Sequence, residues 1–248
     1  MSRIAPFTHA GATLITEQFG VDAADDASPT YVLIHGIGMG RSIFADLVEQ
    51  LAPARTIAID LPGYGEAPEP PRVLTMERSA DLLAAFLRDR DIGPVVVIGH
   101  SMGTQVAVEV AARHPQLVDR VVLIGPTVDR AERTALQQLL RLAQDLLIES
   151  PRVIFLGARE YVRAGPHLRA KFRAMLVHRP EDTYPRVHVP VLVLRGAHDD
   201  VCSDEWCRFV TDALPDGTLA EIENHGHETM IRDAAPAAAL VREFVGSA

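Results

Sequence analysis

Ser101 lies between two glycines in the segment Gly99-His100-Ser101-Met102-Gly103, directly after four apolar residues at 95–98. Three of those four residues are β-branched, which predicts a short buried strand. The residues at 104–114 predict a helix, because apolar side chains recur there at helical spacing. Ser101 is therefore expected on a sharp strand-to-helix turn, where the free N–H groups of the helix would stabilise a developing oxyanion. This pattern predicts a nucleophilic serine.

A serine hydroxyl is a poor nucleophile at neutral pH, so it needs a base within hydrogen-bond reach and a carboxylate that orients that base. Asp199 and Asp200 follow one predicted apolar strand, and His225 and His227 follow the next strand along the chain. On residue type alone, either acid and either histidine could complete the group. The order along the chain is serine, then acid, then histidine.

The rest of the sequence alternates short apolar strands with amphipathic helices. Strands are predicted at Tyr31–Ile34, 56–59, 95–98, 121–124, 191–194 and 219–222, and helices at 43–51, 76–90, 104–114, 203–214 and 234–245. This alternation predicts an α/β fold, with a mostly parallel central sheet and helices on both faces. The segment Ala12–Phe19 has mixed polarity and is predicted to be an edge strand. Sites in such sheets collect at the carboxyl ends of the strands, where His35, Asp60 and Ser101 fall.

The alternation stops between residues 126 and 186, where helical periodicity continues without an intervening strand. Helical pieces are predicted at 131–148, 152–162 and 166–177. We interpret 126–186 as a helical insertion that folds over the carboxyl edge of the sheet. The core domain is then formed by two parts of the chain, 1–125 and 187–248.

The chain resembles the α/β-hydrolase family at several motifs. The segment 99–103 matches the Gly-x-Ser-x-Gly nucleophile elbow of that family. The loop that starts at His35-Gly36 resembles its His-Gly loop, and Asp-Leu-Pro-Gly-Tyr-Gly at 60–65 resembles its Asp-x-Pro-Gly-x-Gly loop. The order Ser, Asp, His is also the order that this family uses. The resemblance implies an α/β-hydrolase fold whose helical insertion is a cap that shapes the substrate pocket.

The same resemblance selects among the candidate acids and bases. The Gly-x-x-Asp turn that ends at Asp199 is similar to the turn that carries the family's catalytic acid, so it implies Asp199 rather than Asp200. The Gly-His pair that ends at His227 is similar to the pair before the last helix of the family, so it implies His227 as the base. His225 is then expected to be a loop or pocket residue.

Further site residues follow from the resemblance. The backbone N–H groups of Ile37 and Met102 would form the oxyanion hole. Asp60 is interpreted as a carboxylate that stabilises its loop by accepting backbone N–H bonds. Because the cap supplies none of the triad, its residues are expected to set substrate choice. The residues expected to contact the substrate are His35, Gly36, Leu139, Leu142, Leu146 and Phe172.

A metal site is an alternative use of the polar loops. His198, Asp199, Asp200, His225 and His227 could converge, and His-x-His is a common metal-binding pair. Their spacing matches no metallohydrolase signature, and a metal would leave the serine turn unexplained. We therefore predict that the enzyme needs no metal and no other cofactor.

The composition is that of an ordinary globular protein, with 248 residues, 48% apolar and 23% charged. The net charge of −9 argues against nucleic acid or an anionic membrane as a partner, and no apolar stretch approaches the length of a membrane span. Two cysteines, Cys202 and Cys207, are too few for a disulfide framework and are predicted to be free thiols. The N-terminus lacks a basic segment followed by an apolar run, so we expect a cytoplasmic protein. A homo-oligomer is compatible with the sequence.

These observations predict a serine hydrolase that cleaves a carboxylic ester of a small-to-medium apolar substrate through an acyl-enzyme. The partner is then a small molecule. Two other reactions use the same triad, namely hydrolysis of a C–C bond in a diketone and hydrolysis of a thioester. A non-catalytic ligand receptor on this fold is the alternative from another functional class.

Overall fold

The structure, a computed structural model, describes residues 2–20, 28–129, 167–231 and 233–246. Its centre is an eight-stranded sheet with the strand order β1-β2-β4-β3-β5-β6-β7-β8. The strands are β1 Arg3–His9, β2 Ala12–Phe19, β3 Tyr31–Ile34, β4 Thr56–Asp60, β5 Val95–His100, β6 Val118–Ile124, β7 Val191–Gly196 and β8 Gly217–Ile222. Strands β3 to β8 are parallel, whereas β1 and β2 are antiparallel to their neighbours. The predicted fold class, a mostly parallel sheet, is confirmed.

The edge of the sheet is formed by β1, so the prediction that Ala12–Phe19 is an edge strand is wrong. Strand β2 pairs with β1 on one side and with β4 on the other. A tight turn at Ala10 and Gly11, both with positive φ, joins β1 to β2. The sequence signal of β1 is weak because most of its residues are exposed and Pro6 interrupts it.

Helices cover both faces of the sheet, as predicted. The α-helices are α1 Ala45–Leu51, α2 Met76–Asp89, α3 Met102–Arg113, α4 Leu168–Val177, α5 Asp204–Ala213 and α6 Ala235–Gly246. Helix α1 follows a 3₁₀ turn at Arg41–Phe44, and two further 3₁₀ turns, Pro180–Asp182 and Tyr184–Arg186, follow α4. Within the described ranges, no helix has the length and apolar character needed to cross a membrane.

The central strand β5 contributes side chains to both layers of the core. Val97 packs with the larger cluster, which includes apolar side chains of α2, α3 and α5. Ile98 points to the opposite face and packs with side chains of α1 and α6. Strand β5 is buried on both faces along its whole length. The serine turn begins at its carboxyl end, at the carboxyl edge of the sheet.

Residues 130–166 lie outside the described residues, and they include the helices predicted at 131–148 and 152–162. The third helix predicted in the insertion corresponds to α4, Leu168–Val177. The division into a core at 1–125 and 187–248 and a cap at 126–186 therefore stays a prediction. Cys202 and Cys207 are free and buried, as expected.

Asp60 holds together two loops at the carboxyl edge of the sheet. One carboxylate oxygen accepts the backbone N–H of Arg41 at 2.6 Å, and the other accepts the N–H of Glu66 at 3.0 Å and pairs with the Arg41 guanidinium. The guanidinium also contacts Glu17 and Glu66. Asp60 is 1% exposed and Arg41 is 9% exposed. The expected role of Asp60, a loop-stabilising carboxylate, is confirmed.

Replacing Asp60 by Asn should lower the free energy of unfolding by about 2 kcal/mol, because the buried Arg41 charge would lose its most buried counter-charge. Urea denaturation would measure the loss. The matched control is Asp204→Asn, which removes an exposed carboxylate paired with Arg208. Its effect should be much smaller. Equal losses from the two substitutions would contradict the role of Asp60.

Candidate active site

Ser101 occupies a strained position between β5 and α3. Its backbone has φ 51° and ψ −120°, a conformation that costs a residue other than glycine of order 1–3 kcal/mol. The turn is held by hydrogen bonds on both sides of the serine. Its N–H donates to the Ile124 carbonyl at 2.9 Å, and its carbonyl accepts the Thr104 N–H at 3.0 Å and the Thr104 hydroxyl at 2.6 Å. The surrounding structure therefore fixes the serine at the start of α3.

The two glycines of the turn permit a very close approach of backbone segments. A Cβ atom on Gly103 would collide with the carbonyl oxygen of Ile34 and lie 2.8 Å from that of His35. A Cβ atom on Gly99 would collide with the Gly103 carbonyl and lie 2.7 Å from the Thr104 nitrogen. Any side chain at either position would push α3 away from β3 and β5, so the turn requires glycine here.

The same close packing brings the loop after β3 to the serine. A Cβ atom on Gly36 would lie 3.1 Å from the Cβ atom of Ser101. Ile37 follows directly, and Met102 is the first residue of α3, where backbone N–H groups have no partner within the helix. The loops that carry the two predicted oxyanion donors are therefore adjacent to Ser101. Their role as donors stays a prediction.

Asp199 and His227 form a buried pair at the same edge of the sheet. The His227 Nδ1–H donates to Asp199 Oδ2 at 2.9 Å, and both residues are 3% exposed. The second carboxylate oxygen of Asp199 accepts the backbone N–H groups of Val201 at 2.9 Å and Cys202 at 2.7 Å. Asp200 is exposed. The structure thus pairs the predicted acid with the predicted base, and in this arrangement the proton on Nδ1 leaves Nε2 as an acceptor.

Gly125 is a site residue that the sequence analysis missed. It follows β6, has φ 55°, and donates its N–H to the Leu194 carbonyl at 2.8 Å. A Cβ atom there would lie 2.8 Å from His227 Cε1 and 3.3 Å from Asp199 Oδ2. Gly125 therefore leaves the space in which the imidazole lies against the carboxylate. The only sequence signal was a glycine directly after the buried residues at 121–124.

Two further histidines near the serine are buried and neutral. His35 accepts the Leu61 N–H at Nε2 at 3.1 Å and donates to the Gly36 carbonyl at 2.7 Å, and burial lowers its pKa. His100 donates from Nε2 to the His227 carbonyl at 3.1 Å. Burial, together with the nearby charge of His227, lowers the pKa of His100 well below its usual value. Both rings support backbone segments of the site. The predicted contact of His35 and Gly36 with substrate remains untested.

Lys171, the single lysine of the chain, connects α4 to the loop after β4. Its ammonium lies 2.6 Å from Glu69 Oε1, contacts the Gly63 carbonyl, and sits 4.5 Å from the centre of the Tyr64 ring. The Tyr64 hydroxyl is 3.5 Å from the sulfur of Met102. A small cavity of about 20 Å³ lies between these side chains. The sequence shows that Lys171 is the single lysine but gives no sign of these contacts.

Of the other residues predicted to contact the substrate, Phe172 alone lies within the described residues. Leu139, Leu142 and Leu146 lie outside the described residues. Phe172, on α4, is partly buried and packs against the larger core cluster. These four assignments stay predictions.

Three potential metal ligands in the described ranges approach one another, and they differ from the group considered from sequence. Ligand atoms of Glu77, Glu109 and His178 all lie within 4.8 Å of one another. One Glu109 oxygen already accepts the Thr183 hydroxyl at 2.6 Å and contacts His178 Nε2 at 3.0 Å. These hydrogen bonds account for the pairing of Glu109 with His178 as part of a buried polar network.

A parallel sheet with a strained serine turn and an Asp–His pair at its carboxyl edge defines a class of hydrolases. A sequence profile described as "Alpha/beta hydrolase family" matches residues 31–243. The chain therefore belongs to the alpha/beta hydrolase family, and it is a hydrolase.

Relatives and solved structures agree with this family assignment. The chain is 28% identical over 228 residues to pimeloyl-[acyl-carrier protein] methyl ester esterase of Chromobacterium violaceum, covering 80% of this chain and 87% of the relative. It is 26% identical to (E)-2-((N-methylformamido)methylene)succinate hydrolase of Acinetobacter baylyi, with coverages of 83% and 85%. The enol-lactonase from Burkholderia xenovorans LB400 shares the fold, with a TM-score of 0.82, 22% identity and coverages of 98% and 100%.

Substituting Gly103 by Ala should destabilise the protein and abolish activity, because a Cβ atom would collide with backbone oxygens of β3 and its loop. Thermal melting and far-UV circular dichroism would measure the effect. Gly246→Ala is the matched control, since nothing lies within 4 Å of a Cβ atom there. A Gly103→Ala protein that melts like the control would show that the turn can open without cost.

Proposed function

We propose that this hydrolase cleaves carboxylic esters with Ser101 as nucleophile, His227 as base and Asp199 as orienting acid. The observation that carries the proposal is the buried 2.9 Å hydrogen bond between Asp199 and His227, at the sheet edge that also carries the serine turn. A carboxylate bound at Nδ1 fixes the imidazole tautomer and stabilises the imidazolium that forms during catalysis.

The proposed reaction has two stages. In the first, His227 takes the Ser101 proton as the serine oxygen attacks the acyl carbonyl, while the N–H groups of Ile37 and Met102 hold the oxyanion. The histidine then gives that proton to the leaving alcohol as the C–O bond breaks. In the second, His227 activates a water that attacks the acyl-enzyme, and the acid and free serine are released. This chemistry uses side chains and backbone groups alone.

The proposed substrate is a small-to-medium ester with an apolar acyl part. The relative from Chromobacterium violaceum supports ester cleavage, since it is a methyl ester esterase. The apolar positions of the predicted cap helices, such as Leu139, Leu142 and Leu146, support an apolar acyl group. Members of one fold family differ in the bond that they cleave, so substrate class is decided by assay rather than by fold.

The first test is Ser101→Ala, which should remove nearly all hydrolysis of a p-nitrophenyl ester, because no other group would form the acyl-enzyme. Initial rates and thermal melting would be measured together, with the melting temperature unchanged. A fluorophosphonate probe should label Ser101 in the wild-type protein and leave the variant unlabelled. Substantial residual turnover in the variant would overturn the serine mechanism.

The same assay separates the alternatives. A panel of esters, thioesters and vinylogous diketones should show the highest kcat/KM for an ester. Preference for a thioester or a diketone would replace the proposed substrate and keep the triad. Labelling of Ser101 without turnover of any member of the panel would favour a ligand receptor.

The second test compares Asp199→Asn with Asp200→Asn. The asparagine at 199 would keep an acceptor for the Val201 and Cys202 N–H groups, but its amide would face the His227 Nδ1–H and favour the wrong tautomer. We expect a loss in kcat of about 10⁴, as for the acid of other serine triads. Asp200→Asn changes an exposed side chain and should have little effect. Equal losses in kcat, or a larger loss for Asp200→Asn, would show that Asp199 is not the orienting acid.

A further inference from the structure

Helix α3, which begins directly after the serine, contains three buried polar side chains outside the catalytic group. Thr104 bonds to the Ser101 carbonyl within the serine turn, and the other two are Gln105 and Glu109. Gln105 is 0% exposed and Glu109 is 2% exposed, although the helix is otherwise buried among apolar and small residues. They are four residues apart, so they share one face of the helix. Burying an amide or a carboxylate is costly unless hydrogen bonds compensate. Their partners therefore indicate why polar residues are present at these positions.

The amide of Gln105 joins two segments that are far apart in sequence. Its Nε2 donates to the Thr127 carbonyl at 3.0 Å and to the Met175 carbonyl at 3.2 Å. Thr127 lies just after β6, and Met175 lies on α4. These two segments are the start of the predicted cap, 126–186, and its return toward the core. One side chain thus ties both ends to the helix of the nucleophile.

Glu109 makes a second connection one turn further along α3. Its Oε1 accepts the Thr183 hydroxyl at 2.6 Å and contacts His178 Nε2 at 3.0 Å. Burial raises the pKa of Glu109, but the bonds from His178 and Thr183 and the charges of His178 and Arg186 outweigh it, so its pKa is lowered. His178 and Thr183 follow α4 in the chain. The return segment is therefore attached to α3 at two successive turns.

We propose that Gln105 is a positioning residue that determines specificity, because it fixes where both ends of the cap meet the helix that carries Ser101. This proposal rests on the proposed ester hydrolysis. Gln105 is four residues after Ser101 on the same rigid helix. If the Thr127 or Met175 carbonyl shifts relative to Gln105, the cap therefore shifts relative to the nucleophile. The residue touches no reacting atom in this mechanism. Its effect is on which acyl group fits over the serine.

The test is Gln105→Met, which keeps the length of the side chain and removes the two donated hydrogen bonds. The ratio of kcat/KM between a preferred and a poor acyl length should shrink by roughly three- to tenfold, the size expected for the loss of such bonds. The change should appear mainly in KM, with kcat for the shortest ester nearly unchanged. Hydrogen exchange should become faster in the amides of 127–129 and 175–178.

Two companion variants keep the experiment decisive. Thr183→Val removes one donor to Glu109 without leaving a new unpaired carbonyl. It should change the same kcat/KM ratio, and speed hydrogen exchange of the same amides, to a smaller extent. Thr16→Val is the control, because it removes a hydroxyl bond to the Ala5 carbonyl in the β1–β2 hairpin, away from the cap. It should lower stability without changing acyl preference.

The outcomes separate this proposal from the proposed function. If Gln105→Met and Thr16→Val give the same acyl ratio and the same exchange pattern, Gln105 is only a core residue and the proposal is overturned. If the wild-type protein turns over no ester, the proposed function fails, and exchange at 127–129 and 175–178 alone decides whether Gln105 holds the two segments. Faster exchange confined to those segments supports the connection.

Discussion

The structure depends on one close contact, the approach of Gly103 to the backbone oxygens of Ile34 and His35. This contact brings the start of α3 against the end of β3, and the chain between β5 and α3 must then turn through the positive φ of Ser101. The loop after β3 contains Gly36 and Ile37, so the same contact brings that loop to the serine. Ser101 and the predicted oxyanion donors are thus positioned by backbone packing, which is far stiffer than a side-chain contact.

Among the buried histidines of the site, the electrostatics favours His227, the proposed base, as the one that transfers protons. Burial keeps His35 and His100 neutral; both ring nitrogens of His35 and the Nε2 of His100 bond to backbone groups. A cationic ring at His100, whose centre is 5.0 Å from that of His227, would oppose protonation of the base. Asp199 supplies the opposite effect, since a carboxylate at Nδ1 favours the imidazolium. The Asp199 carboxylate therefore favours protonation of the proposed base, and the neutral ring of His100 does not oppose it.

Much of the fold could be predicted from local pattern, because continuous apolar strands and amphipathic helices each leave a signal within a few residues. The turn at Ser101 was predictable for the same reason. Gly125 and Lys171 were not, since their importance depends on His227 and Glu69, which are distant in sequence. Strand β1 was not predicted because its residues are mostly exposed, so it lacks the apolar alternation of a half-buried strand.

Periodicity predicted helix α3 but could not explain the polar residues on it. An amphipathic helix has a polar face toward water, whereas α3 is buried along most of its length. Polar residues on a buried helix cannot mark a solvated face, so Gln105 and Glu109 mark connections to other segments. Ser101, the proposed nucleophile, directly precedes this helix, and side chains of the helix hold the first segment and the return segment of the predicted cap. In this proposal, chemistry and substrate selection both depend on one rigid element, and a change in cap position need not disturb the serine turn.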